Sequence, residues 1–305
     1  MSATFILLAL DSPFSRPVLQ TLLDAGHLPA ALLLPNPARA APLASLPPLA
    51  NRQTNQLLSV VTTSQDSLSQ TAAQHNIPLL TLGNLRHTDA LAALRAYQPD
   101  FLVTACFPRL LPAEMLALPR VGCLNLHPSL LPAYRGPEPL FWQFYFGETH
   151  TGVTLHWMDE GADTGDLLAQ AEVLFPDGIS LAQAEKLMAH AGGTLLCRAL
   201  SAPDQLPRVP QPARGASAHS RPTADALAIP TTWEARRAFN FLRAAEAWGP
   251  LEVVDAGGDA AVAARRLRVW RAVGWDEGSG TGTAERGEKR WDVQFVGGRI
   301  EILGV

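Results

Sequence analysis

Two short stretches of the sequence decide the fold. Residues 125–132 read Asn-Leu-His-Pro-Ser-Leu-Leu-Pro, and residues 158–165 read Met-Asp-Glu-Gly-Ala-Asp-Thr-Gly. Each comes at the end of a largely apolar run, which is typical of a buried strand. An amide, an imidazole and several carboxylates are therefore expected in two loops bounded by proline and glycine. In open parallel sheets, ligands bind beyond the carboxyl ends of the strands, so these loops are the candidate site.

Apolar runs upstream predict the rest of this sheet. Four of them have the length of strands: residues 4–10, 29–34, 78–82 and 101–106. Between the first two, apolar residues recur with helical spacing, and a second helical pattern covers residues 89–97. Strands that alternate with helices predict an α/β fold class, with a Rossmann-like and mostly parallel sheet.

The C-terminal part of the chain has a different pattern. A long amphipathic helix is predicted over 180–200, and residues 202–222 contain five prolines without apolar periodicity. We therefore predict a catalytic domain over 1–201, a linker over 202–222, and a smaller β-rich, OB-like domain over 223–305. A flexible hairpin loop is predicted at 278–287.

Composition and charge narrow the class of protein. The chain has 305 residues, of which 47% are hydrophobic and 17% charged, with a net charge of -4, so it is globular and no overall match for nucleic acid. Residues 1–205 hold 10 basic and 16 acidic side chains, a net of -6. The three cysteines are scattered without a CxxC pair, so no metal is predicted. The first apolar run is too short for a signal peptide or a membrane span, so we expect a cytoplasmic protein that does not contact membranes.

The two loops carry groups that suit the chemistry of a carbonyl. Asn125 and His127 are two residues apart in a strand, so they share a face and can point into one cleft. An amide and an imidazole can hold an oxyanion, and a carboxylate such as Asp163 can help to move a proton. A polar pair at a strand end and a solvated acidic turn are the simpler alternatives. A calcium loop would need the DxDxDG spacing, which is absent.

The sequence also resembles a known family. Residues 127–136, HPSLLPAYRG, and residues 151–168, TGVTLHWMDEGADTGDLL, are similar to the formyltransferases that use N10-formyltetrahydrofolate. The similarity is greatest to the branch of methionyl-tRNA and amino-sugar formyltransferases, and it extends weakly to residues 233–243 and 269–272. It implies an N-formyltransferase that passes a formyl group from N10-formyltetrahydrofolate to a primary amine.

The resemblance implies roles for particular residues. It implies that Asn125, His127 and Asp163 form a catalytic triad. It also implies folate contacts from three segments, namely Phe107, Arg109, Leu110 and Leu111; Ser129, Leu130, Leu131 and Pro132; and Met158, Asp159, Glu160 and Gly161. Arg135 and His156 are further candidates for contact with the acceptor, although a buried strand histidine bonded to the backbone is the favoured reading of His156.

The acceptor is the open question at this stage. The methionyl-tRNA branch has a basic loop after the second strand, whereas residues 35–52 here carry only Arg39 and Arg52 as charges. A phosphate backbone needs several cations for useful affinity. We therefore favour a small amine, either an amino sugar or an amino acid derivative, with initiator methionyl-tRNA as the alternative. A formyltetrahydrofolate hydrolase and a folate- or RNA-binding protein without turnover are more remote readings.

Overall fold

The chain groups into two compact units. The structure is a computed structural model, and it describes residues 3–36, 44–45, 67–254, 266–277 and 290–304. The larger unit is formed by Met1–Arg135, Gly152–Glu172 and Glu185–Ser217. The smaller unit is formed by Gly136–Thr151, Val173–Ala184 and Ala218–Val305.

The larger unit is built on an eight-stranded sheet. Its strands are β1 (Phe5–Ala9), β2 (Ala31–Pro35), β3 (Ala44–Ser45), β4 (Leu79–Leu82), β5 (Phe101–Ala105), β6 (Gly122–His127), β7 (His150–Trp157) and β8 (Leu167–Leu174). Their order across the sheet is β3-β4-β2-β1-β5-β6-β7-β8. The α-helices that the described residues form are α1 (Ser15–Asp24), α2 (Leu68–Gln74), α3 (Thr88–Arg95), α4 (Ala113–Leu116), α5 (Pro139–Phe146), α6 (Leu181–Ser201) and α7 (Ala235–Ala245).

The predicted parallel sheet is confirmed at its centre. β1 pairs in parallel with β2 and β5, and parallel pairs also join β2 to β4 and β5 to β6. Every residue of β1 and β5 is buried. Strands covered on both faces need apolar residues at every position, which is why both runs could be recognised in the sequence.

One expectation about the sheet is wrong. The apolar runs before the three candidate folate segments predict that all three segments follow strands of one parallel sheet, but β7 runs antiparallel to β6. The chain starts β7 beside the end of β6, with Thr154 opposite His127, and it finishes with Trp157 opposite Leu124. The acidic loop, residues 158–165, therefore starts at the edge of the sheet opposite to the edge at which β6 ends. It has to fold back over the face of the sheet to bring Asp163 to the side chain of Asn125.

The smaller unit contains a five-stranded sheet, which agrees with the predicted β-rich C-terminal part. Its strands are β9 (Ala228–Pro230), β10 (Leu251–Val254), β11 (Arg266–Asp276), β12 (Arg290–Phe295) and β13 (Gly298–Gly304), in the order β12-β13-β11-β10-β9. α7 buries Phe239, Phe241 and Leu242 in this unit. The hairpin loop predicted at 278–287 lies outside the described residues.

The proline-rich segment predicted as a linker makes regular contacts within the larger unit. Val209 exchanges two backbone hydrogen bonds with Leu167 of β8, at 2.8 and 3.0 Å. Ser217 bonds through its backbone to Pro132 and Arg135. The domain boundaries at 201 and 222 stay a prediction.

Of the helices that the structure describes, none has the length and apolar character that a membrane crossing requires.

Leu8 tests the position of β1 in the core. Its side chain is fully buried among residues of β2, β4 and β5, so Leu8→Ala should lower the free energy of unfolding by about 2–5 kcal/mol. The matched control is Leu28→Ala, because Leu28 is 56% exposed in the same unit. Urea unfolding followed by circular dichroism gives both values. Equal effects of the two substitutions would contradict the buried position of β1.

Candidate active site

Asn125 is held in one orientation by its neighbours. It lies opposite Thr104 of β5, and the Thr104 hydroxyl donates to Asn125 Oδ1 at 2.5 Å. The amide nitrogen is thereby turned to the other side, where Nδ2 donates to Asp163 Oδ1 at 3.2 Å. Nδ2 also lies 3.0 Å from His156 Nε2. One Asn125 N–H group therefore faces Asp163 in the acidic loop, and the other faces His156 of β7.

His127 ends β6 and is buried, with 4% of its surface exposed. Its Nε2 is 2.8 Å from the Tyr134 carbonyl oxygen, which can only accept, so Nε2 carries a proton. Its Nδ1 is 3.5 Å from Asp163 Oδ1. Nδ1 can therefore carry a second proton only when the ring is a cation, and that proton would face the carboxylate.

Asp163 brings the two loops together. Its backbone adopts the left-handed region, with φ 56°, which is uncommon for a residue other than glycine. The loop before it has its own internal support, since Asp159 Oδ1 accepts from the Gly161 N–H at 3.0 Å and from the Thr164 hydroxyl at 2.7 Å. The structure thus brings together all three residues of the predicted triad.

His156 lies beside the triad but is buried, with 2% of its surface exposed. Its Nδ1 is 2.7 Å from its neighbour's carbonyl oxygen, at Trp157. Nδ1 is therefore the protonated nitrogen of the neutral ring, and Nε2 accepts from Asn125. The ring helps to orient the Asn125 amide, and its predicted contact with an acceptor stays a prediction.

The surroundings of His127 set its protonation. Burial lowers the pKa of His127 below its usual value; Asp163 and the hydrogen bond to Tyr134 raise it, and His156 lowers it. Desolvation dominates, so the neutral ring is favoured at neutral pH. A charged His127 ring therefore depends on the nearby Asp163 carboxylate, which is the neighbouring charge that raises its pKa.

The three predicted folate segments differ in how they present their side chains. After β5, Leu110 is 60% exposed, whereas Leu111 is buried in the core. Arg109 donates to the carbonyl oxygens of Gly83 and Asn36, and so joins the loops after β4 and β2. After β7, Asp159, Glu160 and Gly161 are exposed, and Met158 packs against the core.

The segment after β6 is fixed by β7 and β8. The Thr154 hydroxyl donates to the Ser129 carbonyl oxygen at 2.6 Å and accepts from the Leu131 N–H at 3.0 Å. Gln170 Nε2 donates to the Leu131 carbonyl oxygen at 2.8 Å. Leu130 and Pro132 remain partly exposed at the surface of this rigid loop. Its backbone therefore offers a fixed wall to a ligand.

Arg135 has a partner that sequence reasoning missed. Its guanidinium donates to Gln211 Oε1 from Nε at 3.1 Å and from a terminal nitrogen at 2.6 Å. Thr104 was also missed as the anchor of Asn125. Gln211 and Thr104 do not belong to any motif. A threonine inside the otherwise apolar strand β5 was nevertheless a signal that the sequence offered. Among the described residues, no group of three or more histidine, cysteine or acidic side chains could hold a metal ion.

Comparisons with known proteins identify the class. Residues 49–200 match the profile of the family described as Formyl transferase. The methionyl-tRNA formyltransferase of Pelotomaculum thermopropionicum is 30% identical over 264 residues, covering 85% of this chain and 75% of that protein. The methionyl-tRNA formyltransferase of Syntrophus aciditrophicus is 42% identical over 142 residues, 46% of each chain.

A solved structure shares the fold over the whole length. It is the N-formyltransferase of Helicobacter canadensis in complex with folinic acid and dTDP-3-aminofucose. The TM-score is 0.64 at 17% identity, covering 99% of this chain and 100% of that one. The family match and the sequence relatives define a group-transfer enzyme. The chain belongs to the formyltransferase family, whose members use a formyl-folate donor, and the predicted folate-dependent formyltransferase is confirmed.

The pKa of His127 reports on the arrangement of the site. The Asp163 carboxylate is the nearby charge that raises this pKa. In Asp163→Asn only the hydrogen bond to the Tyr134 carbonyl still opposes the effect of burial, so the pKa should fall further. NMR titration of the ring, assigned with His127→Asn, gives the values. Asp159→Asn is the control: asparagine keeps the Oδ1 acceptor for the Gly161 N–H and the Thr164 hydroxyl, so the loop is held as before and the pKa of His127 should stay unchanged. A rise in Asp163→Asn would contradict the assigned geometry.

Proposed function

We propose that this enzyme transfers the formyl group of N10-formyltetrahydrofolate to the primary amine of a small acceptor. The observation that supports this most strongly is the convergence of Asn125 Nδ2 and His127 Nδ1 on Asp163 Oδ1, at 3.2 and 3.5 Å. Two potential donors and one carboxylate in a largely buried position are what formyl transfer to an amine needs. Family membership supports the formyl-folate donor.

The proposed reaction has two steps at one carbon. The amine nitrogen bonds to the formyl carbon, and the carbonyl electron pair moves to the oxygen, forming an oxyanion. Collapse of this intermediate breaks the bond to N10 of the folate, which leaves with a proton, while the amine gives up one proton. The products are a formamide and tetrahydrofolate. Stabilising the oxyanion and moving the proton are therefore the tasks of the protein.

Asn125 and His127 would share the oxyanion. One Asn125 N–H would turn from Asp163 to the formyl oxygen as it becomes negative. His127 donates through Nδ1 only as a cation, because its other nitrogen is committed to Tyr134. Asp163 would stabilise that cation and receive the amine proton, directly or through water. The buried setting strengthens each of these interactions in the transition state.

The folate donor would lie against the three segments named from the sequence. The partly exposed side chains of Leu110, Leu130 and Pro132 offer apolar surface for a flat pterin ring. Backbone groups of the rigid loop 129–132 can read its polar edge. The Helicobacter canadensis protein, which has the same fold, was solved with folinic acid, and this likeness adds support for a folate site.

The acceptor remains a choice between two chemistries. The net charge of -6 over residues 1–205 favours a small amine over a polyanion. The loop after β2 lies mostly outside the described residues, as does Arg265 of the arginine-rich stretch 265–271. In that stretch Arg271 is exposed but lies 3.9 Å from the Glu246 carboxylate. Methionyl-tRNA is the second candidate acceptor, because the two sequence relatives described above are named methionyl-tRNA formyltransferases.

Substitution of the triad tests the proposed chemistry. Asn125→Ala, His127→Ala and Asp163→Asn should each lower kcat by about 10²–10³-fold, the usual cost of losing one oxyanion donor or its support. The formyl group gained by an amine is measured by mass spectrometry under saturating donor. His75→Ala, at an exposed histidine, is the control. Near-normal turnover in any triad variant with an intact fold would contradict the assignment.

Salt dependence separates the two acceptors. A small amine, such as a nucleotide-linked amino sugar, should bind with little dependence on salt, whereas tRNA binding should weaken steeply as salt rises. Formyl transfer to each acceptor is measured between low and moderate salt. Tight binding of initiator methionyl-tRNA with a steep slope and efficient formylation would replace the small amine by tRNA. Release of formate without an acceptor would indicate a hydrolase.

A further inference from the structure

Gln211 bonds to two loops of the active site. Its Nε2 donates to the carbonyl oxygens of Asp163 and Gly165, at 2.8 and 2.7 Å. Its Oε1 accepts from the Arg135 guanidinium at 2.6 Å. One side chain thereby joins the loop that carries Asp163 to the loop that follows the Pro-Ser-Leu-Leu-Pro stretch. All four residues belong to the larger unit.

The orientation of the Gln211 amide is fixed by the chemistry of its partners. A guanidinium can only donate, and a backbone carbonyl oxygen can only accept. A flipped amide would place its oxygen against two carbonyl oxygens and its nitrogen against a cation. The amide therefore provides its two N–H groups to the Asp163 loop in the only way that satisfies every partner.

The segment around Gln211 cannot slide. Val209 is paired with Leu167 on one side by two backbone hydrogen bonds. On the other side, the Ser217 hydroxyl accepts from the Tyr134 N–H at 2.9 Å. The Ser217 backbone also bonds to Pro132 and Arg135. These anchors flank Gln211 on both sides. They therefore fix the position of its side chain relative to the loop that carries Asp163.

The two bonds from Gln211 act where the loop most needs support. The preceding residues Asp159–Ala162 are exposed, and Asp163 itself has φ 56°, a conformation that is uncommon for a residue other than glycine and that contacts with its surroundings can stabilise. The bonded carbonyl groups belong to Asp163 and to the residue two positions later. Holding both fixes the direction of the Asp163 side chain toward His127 and Asn125.

We propose that Gln211 is a positioning residue of the active site. By holding the Asp163 backbone, it sets the distances from the carboxylate to His127 Nδ1 and Asn125 Nδ2. This inference rests on the proposed function for its effect on turnover. Its effect on the geometry of the site does not depend on the acceptor.

The test compares Gln211→Met with Gln205→Met. Methionine keeps the length of the side chain and removes its hydrogen bonds, and Gln205 is exposed on the same proline-rich segment. Gln211→Met should lower kcat by about 10- to 100-fold, because a small misplacement of a catalytic group has effects of this size. The KM of the amine acceptor should change by less than roughly threefold, since its binding is not what is lost. Gln205→Met should leave kcat unchanged.

A second readout is the pKa of His127, measured by NMR on the protein without substrates. The groups that face the ring are Asp163 from the acidic loop, His156 from β7 and the Tyr134 carbonyl from its own loop. Of these, Asp163 is the one that Gln211 holds. The pKa should therefore fall in Gln211→Met and stay constant in Gln205→Met. If the native enzyme formylates no amine, the proposed function fails, and this measurement still tests the positioning role.

Gln211→Glu covers the case in which Gln211→Met does not fold. The carboxylate keeps an acceptor for Arg135 but has no N–H groups for the Asp163 loop, so kcat should fall as in Gln211→Met. Unchanged kcat in a folded Gln211 variant would overturn the proposal. So would an equal loss in Gln205→Met, or a loss of turnover in Gln211→Met without any change in the pKa of His127.

Discussion

The Asp163 carboxylate is the group around which the site is organised. Its Oδ1 lies within 3.6 Å of nitrogen atoms of Asn125, His127 and His156, and the side chain is only 15% exposed. A carboxylate removed from water needs such partners, or its charged form becomes unfavourable. The partners come from two adjacent strands, β6 and β7, so their positions follow from strand register. Pairing places Asn125 opposite His156, and the carboxylate has to be brought to them.

The reversal of β7 explains why so much of the chain surrounds this carboxylate. A loop that leaves the sheet at the opposite edge cannot rely on the sheet alone to aim its side chain. It uses internal bonds from Asp159 and a left-handed residue at Asp163. Gln211 supplies two further bonds from outside the loop. The imidazole has a different kind of support, because His127 belongs to the sheet and its second nitrogen is bonded to the next loop.

The sequence allowed the parallel centre of the sheet to be predicted, and it singled out the three residues that the structure brings together, whose catalytic roles stay a prediction. β1 and β5 were recognisable because burial on both faces demands continuous apolar residues. β8 escaped because three of its eight positions are exposed and the other five are only partly buried, so its pattern is mixed. The direction of β7 could not be inferred, since a strand has the same pattern in either direction. That Asn125 and His127 share a face followed from the two-residue period of a strand, whereas the grouping of both with Asp163 as a triad needed the family resemblance.

Gln211 could not have been found in this way, because it bonds to backbone carbonyl groups. Every residue type has such a group, so the sequence at Asp163 and Gly165 does not indicate the contact. Its position has a consequence for how the family can vary. The C-terminal part of the chain, beyond residue 201, is the part that a domain exchange between relatives would replace. A recombination at residue 201 would replace Gln211 and Ser217 together with that part, and would bring in foreign supports for the catalytic loops. A junction after Ser217 keeps Gln211 and Ser217 on the same chain segment as the loops to which they bond. An exchange that preserves the site therefore has to include the proline-rich segment up to Ser217.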